Sequence, residues 1–115
     1  MKILPLLLIL SLNVYAEGRV LSQNEKMSIV GLCTWNAEIA QATQQIRKEG
    51  DNYAQFNVKV KNLFAQYDVP VDTMQKVLEI GKGVFNSVPL DYSPGLVYVE
   101  YYTLCKDNLI NDIVN

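Results

Sequence analysis

The stretch Gly31-Leu-Cys-Thr-Trp-Asn-Ala-Glu-Ile-Ala40 places a cysteine two residues from the only tryptophan, and the only other cysteine is Cys105. Two thiols near opposite ends of a short chain constrain the fold more than any other feature. The N-terminus says why. Lys2 precedes an apolar run from Ile3 to Leu12, broken only by Pro5 and Ser11, and Val14-Tyr15-Ala16 places small residues where a signal peptidase reads. The run is well short of the ~20 apolar residues that span a bilayer, so residues 1–16 are expected to be a cleaved secretory signal. An exported chain matures where thiols oxidise, which predicts a Cys33–Cys105 bridge. The first and last segments of the mature chain must then lie side by side.

Cleavage after Ala16 leaves residues 17–115 as a single domain. A domain of that size has a thin core, and closing so long a loop is worth about 4 kcal/mol in the chain-entropy model. The formal net charge is −2, and losing Lys2 makes it slightly more negative. Nucleic acid and anionic membranes call for a basic patch, so neither is expected as a partner, and no membrane contact is expected after cleavage. A weakly acidic surface suits a basic protein partner.

Helical periodicity runs through most of the mature chain. Ser22-Gln-Asn-Glu25 has the form of a capping box. Beyond it, Leu32, Trp35, Ile39, Ala42 and Ile46 recur at three- and four-residue steps up to Lys48, with Cys33, Ala37 and Ala40 on the neighbouring row. Asn36, Glu38, Gln41, Gln44 and Gln45 read as the polar outer face. Trp35 points about 200° from Cys33 on an ideal helix, toward the other flank of the apolar stripe. Gly31 weakens the first turns and Gly50 follows the last.

Asp51-Asn52 can cap a second helix from Tyr53 to Tyr67, ended by Val69-Pro70. Asp72-Thr-Met-Gln75 resembles another capping box, opening a third helix that Gly81 and Gly83 should keep short and loose. Ser93-Pro94 is a serine cap with proline at the first helical position. The segment Leu96 to Cys105 has strong strand propensity. Tyr98, Tyr101, Tyr102, Cys105, Leu109 and Ile113 nevertheless continue one helical stripe, and no hairpin turn offers a strand partner. The expected fold is all-α, a small bundle of four to five helices stapled by one disulfide.

Histidine is absent, which removes the commonest general base and metal ligand. With both thiols in a bridge, neither a cysteine nucleophile nor a zinc site is expected. Glu38, Glu79 and Glu100 would suffice chemically for a two-carboxylate glycosidase, but the acidic residues are scattered singly over helix surfaces and caps. No glycine-rich phosphate loop or nucleophile elbow occurs. The chain is read as a binding protein rather than an enzyme, without cofactor or metal. Tyrosine suits interfaces because it pairs large buried area with a polar tip. Asp91, Tyr92, Tyr98 and Tyr102 are therefore the candidate partner-binding residues, with Tyr92 in the turn-rich loop expected to be the most exposed. Tyr98, Tyr101 and Tyr102 can equally fill a core short of leucine.

The pattern of Cys33 and Trp35 at the head of a helix, followed by Tyr98, Tyr101 and Cys105-Lys-Asp-Asn108 near the end, resembles the Spackle family of T-even-type bacteriophages. The resemblance covers the two ends of the chain. It implies an all-helical, disulfide-stapled periplasmic protein that binds and inhibits the tail-associated lysozyme of an incoming phage. Superinfection exclusion would follow, the inhibitor acting as a monomer on one lysozyme domain. A second expectation is a periplasmic acid-stress chaperone resembling HdeA, in which protonated carboxylates loosen the fold for clients. A third is an exported interaction domain with some other partner.

Overall fold

The computed structural model describes residues 20–114. The expected signal, residues 1–16, lies outside them, as do the first three residues of the expected domain and Asn115. Four helices follow one another, α1 (Gln23–Lys48), α2 (Tyr53–Gln66), α3 (Val71–Ser87) and α4 (Pro94–Val114), and no strand occurs among the described residues. The strand alternative for Leu96 to Cys105 is thereby excluded.

Local chemistry accounts for most helix ends. At α1 the Glu25 amide donates to Ser22 Oγ at 3.1 Å, and the Ser22 amide donates to Glu25 Oε1 at 2.9 Å. Arg47 and Lys48 occupy its last turn, and Gly50 then turns the chain at φ 111°. α1 runs unbroken through Gly31. At α2, Asn52 and Gln55 form a second reciprocal box. At α4, Ser93 Oγ accepts from the Leu96 amide at 3.1 Å.

α3 departs from expectation twice. It begins at Val71 with Pro70 as its cap residue and without a side-chain capping bond, so Asp72 and Gln75 do not form a capping box. Pro70 has its φ already set at −56°, and its carbonyl accepts from the Met74 amide at 3.1 Å. Asp72 falls inside the first turn, where its charge suits the positive end of the helix. Nor is α3 short, since it runs 17 residues through both glycines. Those glycines are sites of close approach rather than weak links. Gly81 lies under the Phe56 ring, and Gly83 faces the Tyr101 hydroxyl.

The core is built around α1, which has two working faces. On one, α4 runs antiparallel to it: Ile29 shares a cluster with Leu109, Cys33 is bridged to Cys105, and Ala40 clusters with Val97. The Cα atoms of the bridge are 5.5 Å apart. Cys33, Ala37 and Ala40 are all fully buried, because small side chains let the two helices approach closely. On the other face, Trp35, Ile39 and Ile46 are half-buried against Phe56, Val60 and Val77 of α2 and α3. Trp35 thus packs on the flank away from the bridge, as its angular offset predicts. The stripe expected to form the core is therefore the looser face. Leu32 is 48% exposed and Ala42 is exposed, while Gln44, assigned to the outer face, is fully buried. α2 packs mainly on α3 and meets α1 only sparsely.

Candidate interaction site at the junction of α3 and α4

Gln44 continues the small-residue row Cys33, Ala37, Ala40 by four residues, which carries its amide into the α1–α4 seam where the chain passes from α3 to α4. Its Nε2 donates to the carbonyls of Pro89, Leu90 and Tyr92 at 3.1, 3.4 and 2.9 Å. One turn on, Arg47 Nη1 donates to the carbonyls of Val84 and Val88 and, at 3.3 Å, to Gln44 Oε1. The Arg47 guanidinium lies 5.7 Å from the centre of the Phe85 ring, a cation–π contact. Lys48 Nζ donates to the Leu90 carbonyl at 3.0 Å, and the Tyr92 amide closes a turn on Pro89 O at 3.2 Å. Five carbonyls at the end of α3 and in the loop are thus held by Gln44, Arg47 and Lys48 near the C-terminal end of α1. A buried carbonyl left without a donor costs about 1–3 kcal/mol, so this loop has one preferred shape.

The clamp leaves the crest of the loop outside. Leu90 is 54% exposed and Asp91 is exposed, and neither side chain packs into a core cluster. Tyr92 behaves otherwise. It is half-buried against Ala40, Val84 and Val97, where α1, α3 and α4 converge, and so is not the exposed residue its loop position suggested.

Tyr98 and Tyr102, one helical turn apart on α4, stack with ring centres 6.3 Å apart and planes 10° apart. Tyr102 packs on the cluster of Leu21, Ile29 and Cys33, and both rings are half-buried. Tyr101 packs in the cluster of Ala40, Val84 and Val97, where burial raises its phenol pKa above the usual value. The four candidate residues therefore form no single patch. Asp91 stands on the loop, Tyr92 anchors the loop from below, and Tyr98 and Tyr102 form a separate stack along α4.

The sequence reading missed Gln44, Arg47 and Leu90. Gln44 was legible as the next member of the small-residue row. Arg47 and Leu90 carried no local signal, since their roles depend on which carbonyls the loop brings to α1. Among the described residues no group of three or more Cys, Asp or Glu side chains is placed to hold a metal ion. None of the described helices is long and apolar enough to cross a membrane. No family model matches this chain, and no curated protein or solved structure matches it either.

Proposed function

We propose that this chain is an exported, periplasmic binding protein that inhibits a phage tail-associated lysozyme and so excludes superinfecting phage. The observation that carries the reading is the clamped loop. Its backbone is shaped by Gln44, Arg47 and Lys48, while Leu90 and Asp91 project from it without a packing role of their own. A loop ordered before it meets a partner loses less conformational entropy on binding, which favours affinity. The stapled pair of α1 and α4 supports the same reading, because the bridge from Cys33 to Cys105 holds together the two stretches of chain that carry the resemblance. Asp91 suits a basic rim on the lysozyme, and Leu90 an apolar recess beside it.

The test is a peptidoglycan-clearing assay driven by a phage tail lysozyme, with a cellular lysozyme as control. Residues 17–115 with the bridge formed should inhibit the tail enzyme saturably near one-to-one and leave the control enzyme active. Leu90→Ala and Asp91→Ala should each weaken inhibition about tenfold with the fold intact, as expected for exposed contact residues. Failure to inhibit any of several tail lysozymes at a large molar excess would remove this reading.

A further inference from the structure

α4 is apolar on both sides. Its inner side is accounted for, since Val97, Tyr101, Tyr102, Cys105 and Leu109 pack into the clusters shared with α1 and α3. The outer side is not. Leu96, Val99 and Leu104 are 42%, 58% and 61% exposed, and none of them joins a core cluster of the described residues. A helix apolar all round is ordinarily a buried one, so this face calls for a cover.

Its charges select the cover. At 100° per residue, Leu96, Glu100, Thr103, Leu104 and Asp107 share one sector of about 100°, with Val99 at its border. The stripe runs about 16 Å from Leu96 to Asp107. Glu100, Thr103 and Asp107 are exposed, and both charges of the stripe are negative. Lys106, the only cation of α4, is half-buried about 120° round the helix from Glu100.

A second copy of the chain suits this face poorly. In a two-fold contact, Glu100 and Asp107 of both copies would enter one interface with no cation on either stripe, and buried unpaired carboxylates are costly. Nucleic acid and anionic bilayers meet the same two carboxylates and are repelled. A cationic protein surface satisfies both halves of the stripe, setting apolar groups on the leucines and Lys or Arg on the acids. The loop repeats the pairing. Leu90 and Asp91 are again an exposed leucine beside an exposed acid, on the segment that enters α4 through the Ser93 cap.

We infer that the outer face of α4 is a docking surface for a basic protein, continuous along the chain with Leu90 and Asp91. The partner's charge and apolar character are read from α4 itself, and its identification as a tail lysozyme rests on the proposed function.

Two experiments keep those claims apart. In the first, an amphipathic helical peptide of leucine and lysine is titrated into isotope-labelled residues 17–115 with the bridge formed. Amide shifts should centre on the segment from Leu96 to Asp107, and a leucine–glutamate peptide should produce none. The double variant Glu100→Lys with Asp107→Lys should bind the lysine peptide at least tenfold more weakly. In the second, Glu100→Lys and Leu104→Ala should each weaken inhibition of the tail lysozyme about tenfold. Glu79→Lys makes the same change of charge at an exposed site on α3 and should inhibit as the parent does. Helical content and unfolding midpoint should match the parent in every variant, since each altered side chain is exposed. If the parent inhibits no tail lysozyme, the proposed function falls and the peptide alone decides the inference. Shifts centred away from α4, equal binding of the two peptides, or α4 variants that inhibit like the parent overturn it. So does a dimer in sedimentation that Leu104→Ala dissociates, which gives the face to a second copy.

Discussion

A Cβ placed on Gly81 would stand 2.3 Å from Cε2 of Phe56, closer than any relaxed contact allows. The Phe56 ring cannot yield easily, being 3% exposed and held between Tyr53 and Phe85 at centroid distances of 5.9 and 5.6 Å. Overpacking of this kind costs about 1–3 kcal/mol, against about 1 kcal/mol gained by alanine's helix propensity. Gly81→Ala should therefore destabilise the fold by up to about 2 kcal/mol in urea unfolding. Gly31 has open space around its own Cβ position, so Gly31→Ala should stabilise α1 by about 0.5–1 kcal/mol. The two substitutions are chemically identical, and their opposite signs isolate the close approach of α2 to α3. If both stabilise, the ring does not rest on Gly81.

The Cys33–Cys105 bridge closes a sequence separation of 72 residues, worth about 4 kcal/mol in the chain-entropy model. No free cysteine remains in the fold, so alkylation of the denatured, unreduced chain should label no thiol. Reduction should add the mass of two hydrogens and expose two alkylatable sulfurs. The reduced chain should unfold at a markedly lower urea concentration, with loss of a large share of a typical small domain's stability. Two reactive thiols before reduction would show that α1 and α4 are held by packing alone.

Tyr101 gives the fold a weakness at high pH. Burial raises its phenol pKa above the ordinary tyrosine value of 10.0, because the phenolate is poorly solvated among Ala40, Val84 and Val97. Below pH 10 the group is neutral in folded and unfolded chains alike, and its contribution to stability is fully present. Above pH 10 the unfolded chain releases the proton first, so this contribution is lost as pH rises toward the folded pKa. Tyr101→Phe, which cannot ionise, should show a smaller loss of stability between pH 10 and 11.5 than the parent. Parallel losses in the two proteins would mean that Tyr101 ionises without disturbing the fold.

How much of this was legible in the sequence depended on whether a feature was local. The serine box at Ser22, the asparagine cap at Asn52 and the Ser93-Pro94 start each act within one turn, and all three were readable. The choice of core row on α1 was not. Both rows are apolar at helical spacing, and the row of Cys33, Ala37 and Ala40 became the deeper one only because α4 lies close against it. The glycines of α3 misled for the same reason, since propensity treats them as weak points and the fold uses them to admit Phe56 and Tyr101. At the candidate site, Asp91 was identified from its loop. The clamp beneath it was not, because Gln44 meets Tyr92 across 48 positions of sequence.

That contact supplies the last prediction. Gln44 is fully buried, and its amide serves three loop carbonyls at once. Gln44→Leu keeps a similar volume and removes the donor, leaving the Pro89, Leu90 and Tyr92 carbonyls to find other partners. The expected cost is about 2–3 kcal/mol, the desolvation penalty of groups deprived of a buried donor. Gln44→Glu should cost at least as much at neutral pH, since its carboxylate would face three carbonyl oxygens. Hydrogen exchange locates the damage. Amides of the loop, Tyr92 among them, should lose protection in Gln44→Leu, while those of α2 and of the α1 segment around Cys33 keep it. If the loop amides exchange as slowly as in the parent, the carbonyls are held by Arg47 and Lys48 and not by Gln44. The same variant bears on function. Under the proposed function, a loop that has lost its shape should inhibit a tail lysozyme more weakly through faster dissociation, with Leu90 and Asp91 still present to make contact.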